Sequence, residues 1–173
     1  KNKDEATVEA VTTAAKNGGV FKLNLYKVRD GVQGIFITTI LRNESDKPQD
    51  VSTKNDFTRF EKHGEVEGGI YYADAVDPAD KAGYAFVTLK LEGTAKEGGN
   101  VTIAPGKEVV IQRFMAVGHS PAEAVGLCQE QLGETMAGLA VTFTDEAGKP
   151  VTTGAFMVPV GKHSLPAYPD NEG

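Results

Sequence analysis

The chain has 173 residues, with 18 basic and 24 acidic side chains and a formal charge of −6 at neutral pH. That length suits one large domain, or one domain and part of another, and it can bury a core without covalent staples. The acidic balance argues against nucleic acid as a partner, because displacing counterions from phosphates needs a basic face.

The longest basic-leaning stretch, Lys22 to Arg29, ends in Asp30. A single cysteine, Cys128, rules out an intrachain disulfide. No run reaches the roughly 18 apolar residues of a membrane-spanning helix, so no transmembrane segment is predicted. Twenty glycines and eight prolines favour turns, and with them β structure.

Residues 1–19 read as an N-terminal extension with a weak strand over 6–13, closed by Asn17-Gly18-Gly19. The start at Lys1 reads as a processed or truncated end whose leader is gone, and an extracellular or periplasmic location is expected. Residues 20–28 alternate, with Phe21, Leu23 and Leu25 opposed to Lys22, Asn24 and Tyr26, the period of a half-buried strand. Asp30-Gly31 turns the chain into a β-branched strand over 35–41. Asn43 to Pro48 form a turn, and short strands follow near 49–53, 57–62 and 70–73. An acidic loop over 74–83 precedes an alternating strand over 84–91. The Pro105-Gly106 turn then joins strands over 101–104 and 109–117.

The pattern changes at Ser120-Pro121-Ala122-Glu123, which carries Ser at the N-cap, Pro at N1 and Glu at N3. Ala124, Leu127, Cys128 and Leu132 recur at helical spacing until Gly133, so a helix is predicted over about 120–132. Strands over 138–144 and 151–160 flank an Asp145–Gly148 turn, and 161–173 reads as a loop. The fold class expected is mostly β: an immunoglobulin-like β-sandwich with one short helix and a C-terminal β-hairpin. The expected organisation is an extension over 1–19, a sandwich over 20–117, a helical connector over 118–136 and a hairpin of a second, incomplete β-sandwich over 137–173.

Two stretches carry a resemblance. Tyr26-Lys27-Val28, the turn Asn43-Glu44-Ser45-Asp46-Lys47-Pro48, Asn55-Asp56-Phe57 and Pro105-Gly106-Lys107-Glu108 together resemble small immunoglobulin-like domains of exported bacterial proteins. Residues 141–151, Val-Thr-Phe-Thr-Asp-Glu-Ala-Gly-Lys-Pro-Val, resemble the opening hairpin of carboxypeptidase-regulatory-like, transthyretin-like domains, with Asp170 to Gly173 where that family places a second turn. The succession is similar to the region that precedes the catalytic domain of some exported PHP-type metallohydrolases. The His/Asp metal motifs of that family have no match here, so the resemblance implies no catalytic residue.

The residues themselves offer few sites. His63, His119 and His163 are not at metal-ligand spacing. Asp74, Asp77 and Asp80 recur every third residue, which suits either a solvated acidic loop or a loop calcium site. Tyr71, Tyr72 and Tyr84 suit either cross-strand packing or a stacking face for carbohydrate. Cys128 falls on the apolar face of the predicted helix, as a core thiol would. Asn43 and Asn100 begin glycosylation tripeptides. No nucleophile elbow or phosphate loop is present. The expectation is a non-enzymatic accessory domain that positions a protein partner or an attached domain. The alternatives are a carbohydrate-binding module, a non-catalytic fragment of a metal-dependent hydrolase and a structural subunit of a surface filament or layer.

Overall fold

The computed structural model describes residues 5–13, 19–54, 63–75, 81–92, 98–138 and 140–170. In chain order the elements are β1 (Glu5–Thr13), β2 (Val20–Arg29), β3 (Gly34–Asn43), β4 (Gln49–Ser52), β5 (His63–Val66), β6 (Ile70–Asp74), β7 (Gly83–Leu91), β8 (Asn100–Ile103), β9 (Glu108–Gly118), α1 (Pro121–Gln131), β10 (Phe156–Val160) and β11 (His163–Ala167). The protein is mostly β with one helix among the described residues. The strand expected over 57–62 lies outside the described residues. Two compact units divide the chain: residues 1–57 with 87–115, and residues 58–86 with 116–173. Strands β7 and β9 run through both.

In the first unit the strand order is β1-β2-β3-β9-β7, and β4 pairs separately with β8. Leu41, Val101, Ile103, Val109 and Ile111 form its core, with Val51 and Leu91 packed against them. These residues come from both sheets, so the core sits between two layers. On β2, Lys22, Asn24 and Tyr26 share a face with Leu41, Thr39 and Ile37 of β3. That face holds the buried residues of β3, whereas Phe21, Leu23 and Leu25 on the other face are half-buried. Apolar side chains therefore occupy both faces of β2, a finer division than simple alternation implies. The Thr39 hydroxyl donates to Asn24 Oδ1 at 2.8 Å, which satisfies a polar pair within the sheet.

In the second unit the order is β9-β7-β6-β5, and β10 pairs with β11. Helix α1 begins as its sequence dictates. Ser120 is the N-cap, and its side chain accepts from Glu123 N–H. The Glu123 carboxylate reaches past Ser120 and accepts from the His119 N–H at 2.6 Å. Ala124, Val125 and Cys128 are fully buried, and the helix packs on β6 and β11. Glycines make that seat. A Cβ on Gly83 would overlap the Ser120–Pro121 peptide, and one on Gly118 would press on Ala124 N and the Glu123 side chain.

The C-terminal hairpin forms within the expected 137–173, but later in that stretch than the pair of strands predicted there. Residues 138 and 140–143 form no strand, and Thr144 makes only an isolated bridge with Pro150. The Asp145 turn is present, with Asp145 N–H donating to Lys149 O and Asp145 Oδ1 accepting from Ala147 and Lys149 N–H. The bonds of this bridge flank the pair, Asp145 N–H to Lys149 O and Val151 N–H to Phe143 O at 2.8 Å each, so Pro150 occupies a non-hydrogen-bonded position where no N–H is needed. The regular ladder is β10 with β11: β10 lies within the strand expected over 151–160, and β11 in the stretch expected to be a loop. Gly161, at φ 57°, is the first residue of its two-residue loop, where a type II′ turn needs positive φ. Leu165 of β11 is fully buried.

Candidate functional site

Register decides what the tyrosines can do. Tyr71 pairs with Phe86, Tyr72 with Ala85 and Ala73 with Tyr84. Directly paired residues share a face, so Tyr71 and Tyr84 lie on one side of the β6–β7 pair and Tyr72 on the other. All three are half-buried. Tyr72 lies over its cross-strand partner Gly64, where any Cβ would meet the phenol ring. That ring covers a glycine of the adjacent strand. The structure thus brings together two of the three tyrosines singled out.

Of the acidic triplet, Asp77 and Asp80 lie outside the described residues. Asp74 closes β6, and its two carboxylate oxygens are engaged. Oδ1 accepts from Ala75 N–H at 3.0 Å, and Oδ2 accepts from the Tyr168 hydroxyl at 2.5 Å. Burial pushes the Tyr168 phenol up to about 12, and the hydrogen bond to Asp74 and its negative charge act in the same direction. Nearby, Lys81 adopts φ 41°, unusual for a residue with a side chain. Its ammonium donates to Thr152 O at 2.6 Å and to Pro169 O at 3.1 Å. Together Asp74 and Lys81 tie both ends of the acidic loop to the C-terminal segment.

Cys128 is wholly buried on α1. Burial raises its thiol to about 12, against a smaller lowering by a backbone hydrogen bond at Ala116. A thiol held protonated at neutral pH is a packing group rather than a nucleophile. His119 Nδ1 lies 3.1 Å from Glu123 Oε2 on the exposed start of the helix. His163 opens β11 opposite Val160, and the backbone of His63 opens β5 opposite Ala73.

Asn43 has a structural role. It is fully buried, and its Nδ2 donates to Lys47 O at 2.7 Å and to Ile103 O at 2.8 Å. Its Oδ1 accepts from the Ser45 N–H and hydroxyl, while its backbone exchanges hydrogen bonds with Lys107 and Gly106. The nitrogen a glycan would need is therefore inside the protein. Asn43 joins the Asn43–Pro48 turn to the Pro105–Lys107 turn. Asn100, in contrast, is exposed at the start of β8.

Two features escaped sequence reasoning. The first is a cavity of about 240 Å³ whose lining includes Lys27, Arg29, Phe36, Thr38, Gln112 and Arg113. Its signal was the spacing of Lys27 and Arg29, two apart on one strand and so on one face. The Arg29 guanidinium carbon lies 4.3 Å from the Phe36 ring centroid. Arg113 is buried and donates from Nη2 to Thr53 O.

The second is the edge of the first unit. β1 pairs with β2 at nine consecutive positions, Glu5↔Arg29 to Thr13↔Phe21. It is the terminal strand of its sheet, so the other side of its backbone faces no further strand among the described residues. Val8, at its centre, is 65 % exposed. Among the described residues no helix is long and apolar enough to cross a membrane, and no cluster of three metal-binding side chains occurs.

Comparison with protein-family models, with curated proteins and with solved structures finds no match to this chain.

Proposed function

We propose that the chain is a non-catalytic, exported accessory domain that positions a protein partner or an attached domain by accepting a strand at the open edge of β1. The observation that carries this reading is the edge itself. Among the described residues, the nine residues of extended backbone Glu5–Thr13 pair on one side only, and they contain no proline or glycine to interrupt an added strand. Soluble β proteins usually blunt such edges with short strands, prolines or bulges, and a long regular edge is a template for β-augmentation. Added main-chain hydrogen bonds would supply affinity, and side chains at alternate positions such as Val8 would supply selectivity. The buried state of Cys128 supports the non-catalytic part of the reading.

The test is a photo-cross-linking residue placed at Val8 in chain made by its native cells. The expected result is one adduct of defined mass, lost when Ala10→Pro is added to break strand pairing. A control probe at Met157, 60 % exposed on β10 of the other unit, should give no such adduct. Equal labelling from both positions, or none from Val8, would overturn the proposal.

A further inference from the structure

Asp30 and Gly31 lie in the turn between β2 and β3, and both are exposed. The Val32 N–H donates to Arg29 O at 3.3 Å, which closes a β-turn with Gly31 at its third position. Gly31 has φ 73°, the positive value that a type II turn places there. Its N–H donates to Asp30 Oδ1 at 3.1 Å. The fold therefore holds a carboxyl group against the next backbone nitrogen, and such proximity favours an intramolecular reaction. Nothing described lies within 4 Å of the point where a Gly31 Cβ would sit, so the approach to that nitrogen is open.

Among the described residues no other aspartate combines these features. Asp30 is the only aspartate of the chain that is followed by glycine. Asp46, Asp50 and Asp145 are exposed too, but Lys47, Val51 and Glu146 follow them. Asp145 Oδ1 is turned to the N–H groups of Ala147 and Lys149 rather than to that of its neighbour. Asp74 Oδ1 does accept from the Ala75 N–H, but that N–H also donates to Ala82 O. Ala75 is moreover buried, and Tyr168 holds the second carboxylate oxygen of Asp74.

We propose that Asp30–Gly31 is a site of spontaneous isoaspartate formation in the folded chain. The Gly31 nitrogen attacks Asp30 Cγ while the carboxyl group is protonated. The N–Cγ bond forms, the nitrogen loses its proton, and one carboxyl oxygen leaves as water. The product is a five-membered succinimide, and water then adds to either of its carbonyls. Opening at Cγ restores aspartate. Opening at the main-chain carbonyl of Asp30 breaks its bond to the Gly31 nitrogen and leaves the chain running through Cγ. Nothing is oxidised or reduced, and the water lost in the first step is regained in the second. Isoaspartate lengthens the main chain by one methylene immediately after Arg29, the last residue of β2 and the register partner of Glu5 in β1. The reaction does not depend on strand addition at the β1 edge.

The test is to hold the folded chain in heavy-oxygen water at mildly acidic pH and to map its peptides by a method that separates isoaspartyl from aspartyl forms. Each passage through the succinimide takes up one heavy oxygen atom. The expected result is labelled isoaspartate in the peptide that contains Asp30, ahead of any label at Asp46, Asp50 or Asp145. Asp30→Glu should abolish it, because glutamate would have to close a six-membered ring. Asp30→Asn should convert faster to the same two products, with ammonia leaving in place of water. Both variants change only an exposed side chain, and unchanged melting would show that they fold. Label at Asp30 no greater than at the other exposed aspartates, or equal label in Asp30→Glu, would overturn the proposal.

Discussion

Asn43 ties two turns and a distant strand together through one buried side chain. Its side chain donates to the buried Ile103 carbonyl and the partly buried Lys47 carbonyl and accepts two hydrogen bonds, all at 2.7–2.9 Å. Asn43→Ala removes the partner of each. Leaving buried polar groups unmade costs about 1–3 kcal/mol apiece, so a loss of about 3 kcal/mol is expected in urea denaturation. A loss below about 1 kcal/mol would mean that water replaces these bonds. Cys128 makes a second residue-scale prediction. Its folded value is about 12 against a reference of 9.0, so the unfolded chain releases its proton first. Stability from this group is complete below about pH 9 and falls as pH rises toward 12, by about 1.4 kcal/mol per unit at most. The advantage of the wild type over Cys128→Ala should therefore shrink between about pH 8 and about pH 10.5. An unchanged advantage would show that the thiol ionises as freely folded as unfolded. The sequence marked Asn43 as a turn residue and Cys128 as a core thiol. It also matched Asn43 to a glycosylation tripeptide, and only the three-dimensional position of Ile103, sixty residues away, separates the two uses.

At the scale of elements, helix α1 was fully legible, because its N-cap, its N1 proline and its apolar spacing all agree within one segment. Its docking was not, since that depends on Gly83 and Gly118, which lie in strands where a glycine has no periodic signal. Gly83→Val should displace the start of the helix and lower stability by about 3 kcal/mol, read as a lowered melting temperature together with earlier exposure of Cys128 to a thiol reagent. Normal melting would show that the helix can lift without loss. Of the final hairpin, β10 lies inside the strand expected over 151–160, while β11 falls in the stretch read as a loop. Prolines at 159 and 166 argue against strands, and both are accommodated in a two-stranded ladder that is all edge. The strand predicted over 138–144 is reduced to a single bridge, Thr144 with Pro150, flanked by the hydrogen bonds Asp145 N–H to Lys149 O and Val151 N–H to Phe143 O.

At the scale of the whole molecule, periodicity and turn chemistry identified a mostly β protein with one helix, because those signals are local. Which residues converge is not local. The Lys27–Arg29 cavity and the β1 edge both arise from strand order, which joins β3 to β9 across more than sixty residues of chain. Tyr71 and Tyr84 came to share a face by register, while Tyr72, adjacent in sequence, was sent to the opposite side by the period of two. The functional account rests on β1, a strand that the sequence marked only weakly and that pairs on one side only among the described residues.

The measurement that tests this most directly is amide hydrogen exchange along β1, in the dilute chain alone and with excess synthetic peptide of the β2 sequence, VFKLNLYKVR, which β1 already pairs with on its inner side. The account predicts an alternating pattern in the chain alone, with amides that face β2 protected and those that face outward exchanging quickly. It also predicts that the peptide slows the outward row. Protection of both rows in the dilute chain, or outward amides that the peptide leaves unchanged, would contradict an open acceptor edge.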